Sequence, residues 1–214
     1  MELDKNIEDE ILIAAERVFI NNGFKSATMN MIAKEVGISR TSLNYYFRTK
    51  DRLYSRLLDG MINKFVPRLG SVFIGSNNIY EIIDHWVEEY TKMLIERPEY
   101  PFFIITEVER NHRNIATVLR ERFIEFNVLG RLQEVTEMQF GKDRVKEFDL
   151  ASFVIDALGV ILTPVIFSPT VLLILNDKEI TIEEYLVSNM ERNKILIREM
   201  FNYFLNEKEG HNAN

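Results

Sequence analysis

The chain of 214 residues has no cysteine, only five prolines and only nine glycines. The absence of cysteine excludes disulfide bonds and thiolate metal sites. Alternating apolar and polar residues are also missing, apart from one short ambiguous stretch, so the sequence predicts an all-α fold. No phosphate-binding loop, dinucleotide fingerprint, nucleophile elbow or HExxH motif occurs. We therefore expect no enzyme, no cofactor and no metal.

Charged residues are missing from one long stretch, residues 157–176. Its length suits a membrane span. Because Pro164 and Pro169 interrupt it and no basic cluster flanks it, we predict instead a buried helix that ends near Pro164, followed by an apolar connection. The acidic N-terminus lacks the basic start and apolar run of a signal peptide. The sequence thus predicts a cytoplasmic protein without membrane contact.

Basic residues are in the minority, with 26 lysines and arginines against 33 acidic residues and a net charge of −7. They are concentrated between Lys25 and Arg56, where the net charge is +5, which leaves −12 for the remainder. A local basic patch on an acidic chain is typical of nucleic-acid binding confined to one face. An ordinary fluctuation of surface charge gives the same count, so the helix pattern has to decide.

Two short helices are predicted around Gly37. Thr28 and Ser39 are suited to N-cap them, and Thr49 to N-cap the longer helix that follows. Gly37 can adopt the positive φ of a tight turn, and the small Ala33 allows the helices to cross closely. A short helix, a glycine turn and a second helix with matching apolar faces form a helix-turn-helix.

The second short helix separates its apolar and polar residues. Leu43 and Phe47 fall on one side, toward a core, and the polar side offers donors and acceptors of the length that suits base edges in a major groove. A merely solvated face explains most of this pattern, but it explains two adjacent tyrosines poorly. We predict base contacts from Arg40, Thr41, Asn44 and Tyr45, and phosphate contacts from Ser42, Tyr46 and Lys50.

The stretch "ILIAAERVFINNGFKSATMNMIAKEVGISRTSLNYYFRTKDRLYSRLL" resembles the N-terminal domain of the TetR (tetracycline-repressor) family of bacterial regulators. The resemblance implies phosphate contacts from Thr28, Tyr46 and Lys50, and a palindromic double-stranded DNA operator. It also implies a second helical domain that dimerises through its last two helices and often holds a ligand. At Thr41 and Asn44 the chain departs from the residues that many members have.

Beyond the helix-turn-helix, the pattern predicts further helices over 79–97, 101–111, 113–140, 145–163, 181–192 and 193–207. We predict a DNA-binding domain over 1–49, a regulatory and dimerisation domain over 50–208, and a disordered tail over 209–214. The last helix is apolar on too many faces to be buried on one side only, which favours a homodimer with Phe201 and Phe204 in its interface. Candidate ligand-binding residues are Trp86, Tyr90, Phe103, Phe123 and Asn127.

The sequence therefore predicts a homodimeric DNA-binding transcriptional regulator. We expect a repressor that leaves its operator when a small apolar or amphipathic effector binds. The alternatives are a regulator of the same fold controlled by a protein partner, an activator, and, least favoured, a helical enzyme.

Overall fold

The structure is a computed structural model that describes residues 2–146, 148–176 and 180–206. Within these ranges the chain forms helices and no strand, which confirms the all-α prediction. The predicted tail over 209–214 lies outside them. The helices are α1 (Glu2–Ser26), α2 (Met29–Val36), α3 (Arg40–Tyr46), α4 (Lys50–Val72), α5 (Ile79–Glu96), α6 (Tyr100–Glu125), α7 (Val128–Phe140), α8 (Lys142–Val145), α9 (Leu150–Asn176) and α10 (Ile182–Asn206).

The chain divides into two compact units. Unit 1 comprises Met1–Lys64 and Phe102–His112, and unit 2 comprises Phe65–Pro101 and Arg113–Asn214. Unit 1 thus contains more than the predicted domain over 1–49, because the first parts of α4 and α6 pack into it.

The core of unit 1 collects apolar side chains from its first four helices. Ile11 and Ala15 on α1, Ile32 on α2, Leu43 on α3 and Leu53 on α4 are all fully buried. Each buried side chain of the size of leucine contributes about 1.5–3 kcal/mol relative to an exposed one. This shared core fixes α3 on the unit, with its opposite face outward.

Local hydrogen bonds set the ends of α2 and α3. The hydroxyl of Thr28 accepts from the backbone N–H of Met31 at 3.2 Å, and that of Ser39 from Ser42 at 3.0 Å. Gly37 has φ +81° and donates its N–H to the carbonyl of Ala33 at 3.0 Å. These contacts confirm both predicted caps and the glycine turn.

We expect Gly37→Ala to lower the free energy of unfolding by about 1–2 kcal/mol, the cost of a left-handed backbone at a residue with a Cβ. The cost is conformational, because an added Cβ would meet no atom within 4 Å. Gly60, inside α4, is the matched control, since it has equal space and no positive φ. Gly60→Ala should stabilise by roughly 0.5–1 kcal/mol. Equal effects of the two substitutions in chemical denaturation would contradict this explanation.

Unit 2 is built around α5, α9 and α10. Its centre is an aromatic cluster in which the Phe201 ring lies 5.5 Å from Phe153 and 5.2 Å from Phe148, measured between centroids. Polar pairs connect α5 to α10, among them Lys194 Nζ with Glu88 Oε1 at 2.7 Å. Phe201 is only 2% exposed, so its ring belongs to the core of the chain, and its predicted place in a subunit interface is wrong.

Three predicted boundaries in the second half of the chain are also wrong. The helix predicted to break at residue 112 continues to Glu125, and the break falls at Asn127, whose φ of 47° is left-handed. Glycine and serine in residues 68–78 predict a linker from the sequence, but α4 continues through Pro67 to Val72, so the linker begins only after that residue. The helices predicted over 181–192 and 193–207 form the single helix α10.

The uncharged run forms one helix rather than a helix and a connection. α9 continues through Pro164 to Asn176. Its residues 150–168 are long and apolar enough to cross a membrane by length and composition, with mean hydropathy 2.2, and only 22% of that window is buried in the chain. The prediction of a buried helix is therefore wrong for one face, on which Ile155, Ile166 and Leu173 are exposed.

Candidate nucleic-acid interface

α3 presents its polar face to solvent. Leu43 and Phe47 are buried on the opposite side, as the sequence predicts. Tyr45 is 82% exposed, which is unusual for a large aromatic side chain with no binding role. The structure places these predicted base- and phosphate-contacting side chains on the exposed side: Arg40, Thr41, Ser42, Asn44 and Tyr45.

Side chains of α2 and the turn hold part of this face in place. The guanidinium of Arg40 donates to Asn30 Oδ1 at 2.9 Å. The hydroxyls of Ser39 and Ser42 are hydrogen-bonded at 2.8 Å. The side chain of Arg40 is thus already held in place before DNA binds, which lowers the conformational entropy that it loses on binding. Asn30 was not predicted from the sequence, because its partner is ten residues away.

Three predicted phosphate-contacting residues are not on the exposed side of α3, and the first two of them, Thr28 and Tyr46, differ in environment. Thr28 is exposed at the start of α2, and its hydroxyl keeps a free proton while it caps the helix. Tyr46 is half-buried, and its ring lies edge-on to Tyr45 at 5.2 Å.

Lys50 is held by the protein backbone. Its ammonium donates to the carbonyls of Phe24 at 2.8 Å, Ala27 at 3.0 Å and Lys25 at 3.3 Å, and it lies 4.5 Å from the centre of the Phe24 ring. Three acceptors match the three protons of an ammonium group. The geometry therefore does not support the predicted phosphate contact, and Lys50 instead joins the start of α4 to the turn between α1 and α2.

We expect Lys50→Met to lower the free energy of unfolding by about 1.5–3 kcal/mol, as for hydrogen bonds to a charged group. The slope of DNA affinity against salt should not change, because no phosphate contact is removed. Lys64→Met, at an exposed position of the same helix, is the control and should be neutral. A slope lower by about 0.9, together with an unchanged free energy of unfolding, would instead indicate that Lys50 contacts a phosphate.

Some basic residues of the patch between Lys25 and Arg56 are not neutralised by a neighbouring carboxylate. Lys34, Arg48 and Arg52 are exposed, and none forms an ion pair with another described side chain. One acidic residue of the patch, Asp51, is paired with Arg110 at 2.6 Å. The patch therefore keeps positive charge next to α3, where phosphates can be bound.

Arg110 is the centre of a cluster of polar and aromatic side chains within unit 1. Its Nε donates to Glu107 Oε2 at 2.9 Å, and its guanidinium lies 4.5 Å from the centre of the Phe24 ring. Glu107 is fully buried. Burial raises the pKa of the neighbouring Tyr54 to about 12, so this phenol stays neutral and donates to a backbone carbonyl. The sequence analysis missed this cluster, whose only local signal is an acidic and a basic residue three positions apart.

The five candidate ligand-binding residues fall in both units, four of them in unit 2. Phe103 is buried in unit 1. Trp86 and Tyr90 stack on each other along α5, with ring centres 5.3 Å apart. Phe123 and Asn127 line a separate groove of about 560 Å³ between α6 and α7.

A three-helix core, a glycine turn and a polar, basic outer face define a helix-turn-helix protein of the DNA-binding class. The family model for bacterial regulatory proteins of the tetR family matches residues 11–57. This region, residues 11–57, is therefore a helix-turn-helix region of the TetR family of bacterial transcriptional regulators.

Two curated relatives agree with this assignment. The biofilm operon icaADBC negative transcriptional regulator IcaR of Staphylococcus epidermidis is 22% identical over 127 residues, which are 56% of this chain and 69% of IcaR. The transcriptional regulator QacR of Staphylococcus aureus is 37% identical over 54 residues, which are 25% of this chain and 29% of QacR.

Solved structures show the same fold over nearly the whole chain. A TetR-like transcriptional regulator from Rhodococcus matches with a TM-score of 0.65 at 19% identity, over 94% of this chain and 97% of that one. FadR of Bacillus subtilis, solved in complex with stearoyl-CoA, matches with a TM-score of 0.55 at 19% identity, over 86% and 96%. The helical fold that follows the helix-turn-helix is therefore shared with these two structures.

Proposed function

We propose that the protein is a sequence-specific, cytoplasmic transcriptional repressor that binds a palindromic operator as a homodimer. The observation that carries this proposal is the outward face of α3, where polar side chains and an exposed tyrosine lie on a helix fixed by a buried core. An N-capped helix of this kind fits the major groove of B-DNA.

The residue types on α3 suit base readout. An asparagine pairs bidentately with adenine, an arginine with guanine, and a threonine methyl contacts the methyl of thymine. Asn44, Arg40 and Thr41 supply these groups on the exposed side. Thr28, Ser42 and Tyr46 flank them with hydroxyl donors for phosphate, which position the helix without specifying sequence.

Dimerisation is proposed through α9 and α10. On α9 the exposed Ile155, Ile166 and Leu173 recur at the helical period, and on α10 Ile195 and Tyr203 are exposed. An exposed apolar surface of this extent fits a self-complementary interface. Two copies then place two α3 helices on successive half-sites of one operator.

Control by a small molecule is the remaining part of the proposal. IcaR is named a negative regulator, and FadR was solved with stearoyl-CoA. By analogy, an amphipathic effector would favour a dimer geometry in which the two α3 helices no longer match the groove spacing. A protein partner in place of the effector, or activation in place of repression, is the alternative.

Selection of bound sequences from random DNA tests the DNA-binding part. We expect a palindromic consensus whose half-sites are about one helical turn, 34–36 Å, apart or a multiple of it. The position of the consensus relative to promoters then separates repression from activation. If DNA binding is measurable at the salt concentration used but no sequence is enriched, the proposal is contradicted.

A further inference from the structure

The first residue of α3 is held by a side chain of α2. Asn30 is the second residue of α2, and Arg40 is the first residue of α3. Nη1 of Arg40 donates to Oδ1 of Asn30 at 2.9 Å, although ten residues separate them in the chain. Both side chains are exposed. The hydrogen bond therefore orients a side chain on the outer surface of the helix-turn-helix and not in its core.

Local structure brings the two positions together. Ala33, one turn after Asn30 on α2, is buried and small enough for α3 to cross closely. The start of α3 is fixed by its N-cap, where Ser39 Oγ accepts from the N–H of Ser42 at 3.0 Å. These contacts set the backbone, and the hydrogen bond between Arg40 and Asn30 adds the orientation of one side chain.

The hydrogen-bonding capacity of the two groups decides which atoms remain for DNA. An arginine side chain has five N–H donors and no acceptor. The amide of Asn30 must therefore turn its oxygen toward Arg40 and its NH2 group away. Nε and Nη2 of Arg40 donate to no acceptor in the part of the chain that the structure describes. These two atoms lie on one edge of the planar guanidinium and form a fork for two acceptors.

A neutral partner for Arg40 suits base readout. A carboxylate at position 30 would also hold the guanidinium, but it would neutralise its charge and repel phosphates. The amide of Asn30 fixes the side chain and leaves the charge in full. Guanine presents two acceptors, O6 and N7, on its major-groove edge. The free fork of Arg40 therefore matches guanine better than any other base.

We propose that Asn30 is a positioning residue for base readout, which holds the Nε–Nη2 edge of Arg40 toward a guanine in each operator half-site. This inference rests on the proposed function, because it names the base that one residue of α3 selects. Recognition helices contact base edges with their N-terminal residues, while the preceding helix crosses the DNA backbone. Arg40 and Asn30 occupy these two places.

The expected gain is in specificity and not in general affinity. Without the hydrogen bond to Asn30, the side chain of Arg40 would become ordered only when it bonds to guanine, and it would stay free on other bases. The cost of ordering would then be subtracted from the guanine complex alone. Removal of the amide should therefore reduce the preference for guanine and leave affinity for scrambled DNA unchanged.

Selection of bound sequences from random DNA, with the full-length parent and its variants, tests the role of Asn30. Arg40→Ala identifies the base pair that Arg40 reads, where the preference for guanine should fall by about 5- to 140-fold, the loss of one bidentate contact. Asn30→Ala should reduce the preference at that same base pair by about 2- to 12-fold, the effect of one side chain left to be ordered on binding. Preferences at the other base pairs should be unchanged.

A double variant tests whether Asn30 acts through Arg40. Adding Asn30→Ala to Arg40→Ala should change the preference no further, because the side chain that Asn30 positions is gone. Asn30→Asp keeps the acceptor, so it should retain the preference within about twofold while its charge weakens binding to all DNA alike. A further effect of Asn30→Ala in the Arg40→Ala background, or a change at another base pair, would make Asn30 itself a DNA contact and overturn the proposal.

Two controls separate this role from a structural one and from failure of the function. Asn21→Ala, at an exposed asparagine of α1, should leave the operator preference unchanged. Each variant should keep the melting temperature of the parent within about 2 °C, as surface changes usually do. Enrichment of no sequence by the parent contradicts the proposed function and this inference with it. A parent that selects an operator, together with an Asn30→Ala protein of identical preference, contradicts the role of Asn30 alone.

Discussion

Replacing Ile195 by aspartate is expected to convert the dimer into folded monomers and to lower operator affinity by at least about 100-fold. Ile195 is 60% exposed on α10, so the change does not disturb the core of unit 2. In the dimer, the same position would bury an unpaired carboxylate in an apolar interface at a cost of several kcal/mol. A monomer binds only one half-site and loses the gain from linking two contacts.

Sedimentation and thermal unfolding together check this expectation. Met138→Asp is the matched control, because Met138 is also exposed on unit 2 but lies on α7, away from the proposed interface. That variant should remain dimeric and bind the operator. Phe201→Asp is unsuitable for the purpose, since the buried position should unfold unit 2. A dimeric Ile195→Asp protein would place the interface elsewhere.

Arg110→Met is expected to lower the free energy of unfolding of unit 1 by about 3–5 kcal/mol, the usual cost of leaving one charge of a buried pair without its partner. Glu107 is 0% exposed, and its Oε1 has no hydrogen-bond partner among the side chains that the structure describes. Its Oε2 therefore depends on the guanidinium of Arg110. Chemical denaturation of the variant and its parent measures the difference.

Two further variants identify the buried carboxylate as the cause. Arg113→Met, at an exposed arginine one turn further along α6, should change stability by no more than about 0.5 kcal/mol. Adding Glu107→Leu to Arg110→Met should recover most of the loss, because apolar replacement of both partners removes the uncompensated charge. A double variant as unstable as Arg110→Met alone would assign the loss to the packing of Arg110 on Phe24.

The elements that sequence reasoning predicted correctly are those fixed by local chemistry. Thr28 and Ser39 cap α2 and α3 through hydrogen bonds that span three residues, and Gly37 closes the turn with a left-handed backbone. Such signals are contained in a few neighbouring residues. The division of α3 into a buried and an exposed side followed from its short apolar pattern for the same reason.

The features that sequence reasoning missed depend on packing between segments that are distant in the chain. α9 continues through Pro164 because Ile161 and Val165 are both buried on one continuous stripe, which outweighs a local penalty of about 3 kcal/mol. Lys50 is held by carbonyls more than 20 residues away, and no spacing rule reveals them. The assignment of α3 residues to bases or phosphates stays a prediction.

The central claim, that α3 reads DNA bases, is tested most directly with Asn44→Ala on the selected operator and on scrambled DNA. Asn44 is exposed and outside the core, so stability should change by no more than about 0.5 kcal/mol. Affinity for scrambled DNA should be unchanged, because the basic patch is intact. Discrimination should fall by about 1–3 kcal/mol at one base pair of each half-site. An operator-to-scrambled affinity ratio equal to that of the parent would contradict base readout through Asn44.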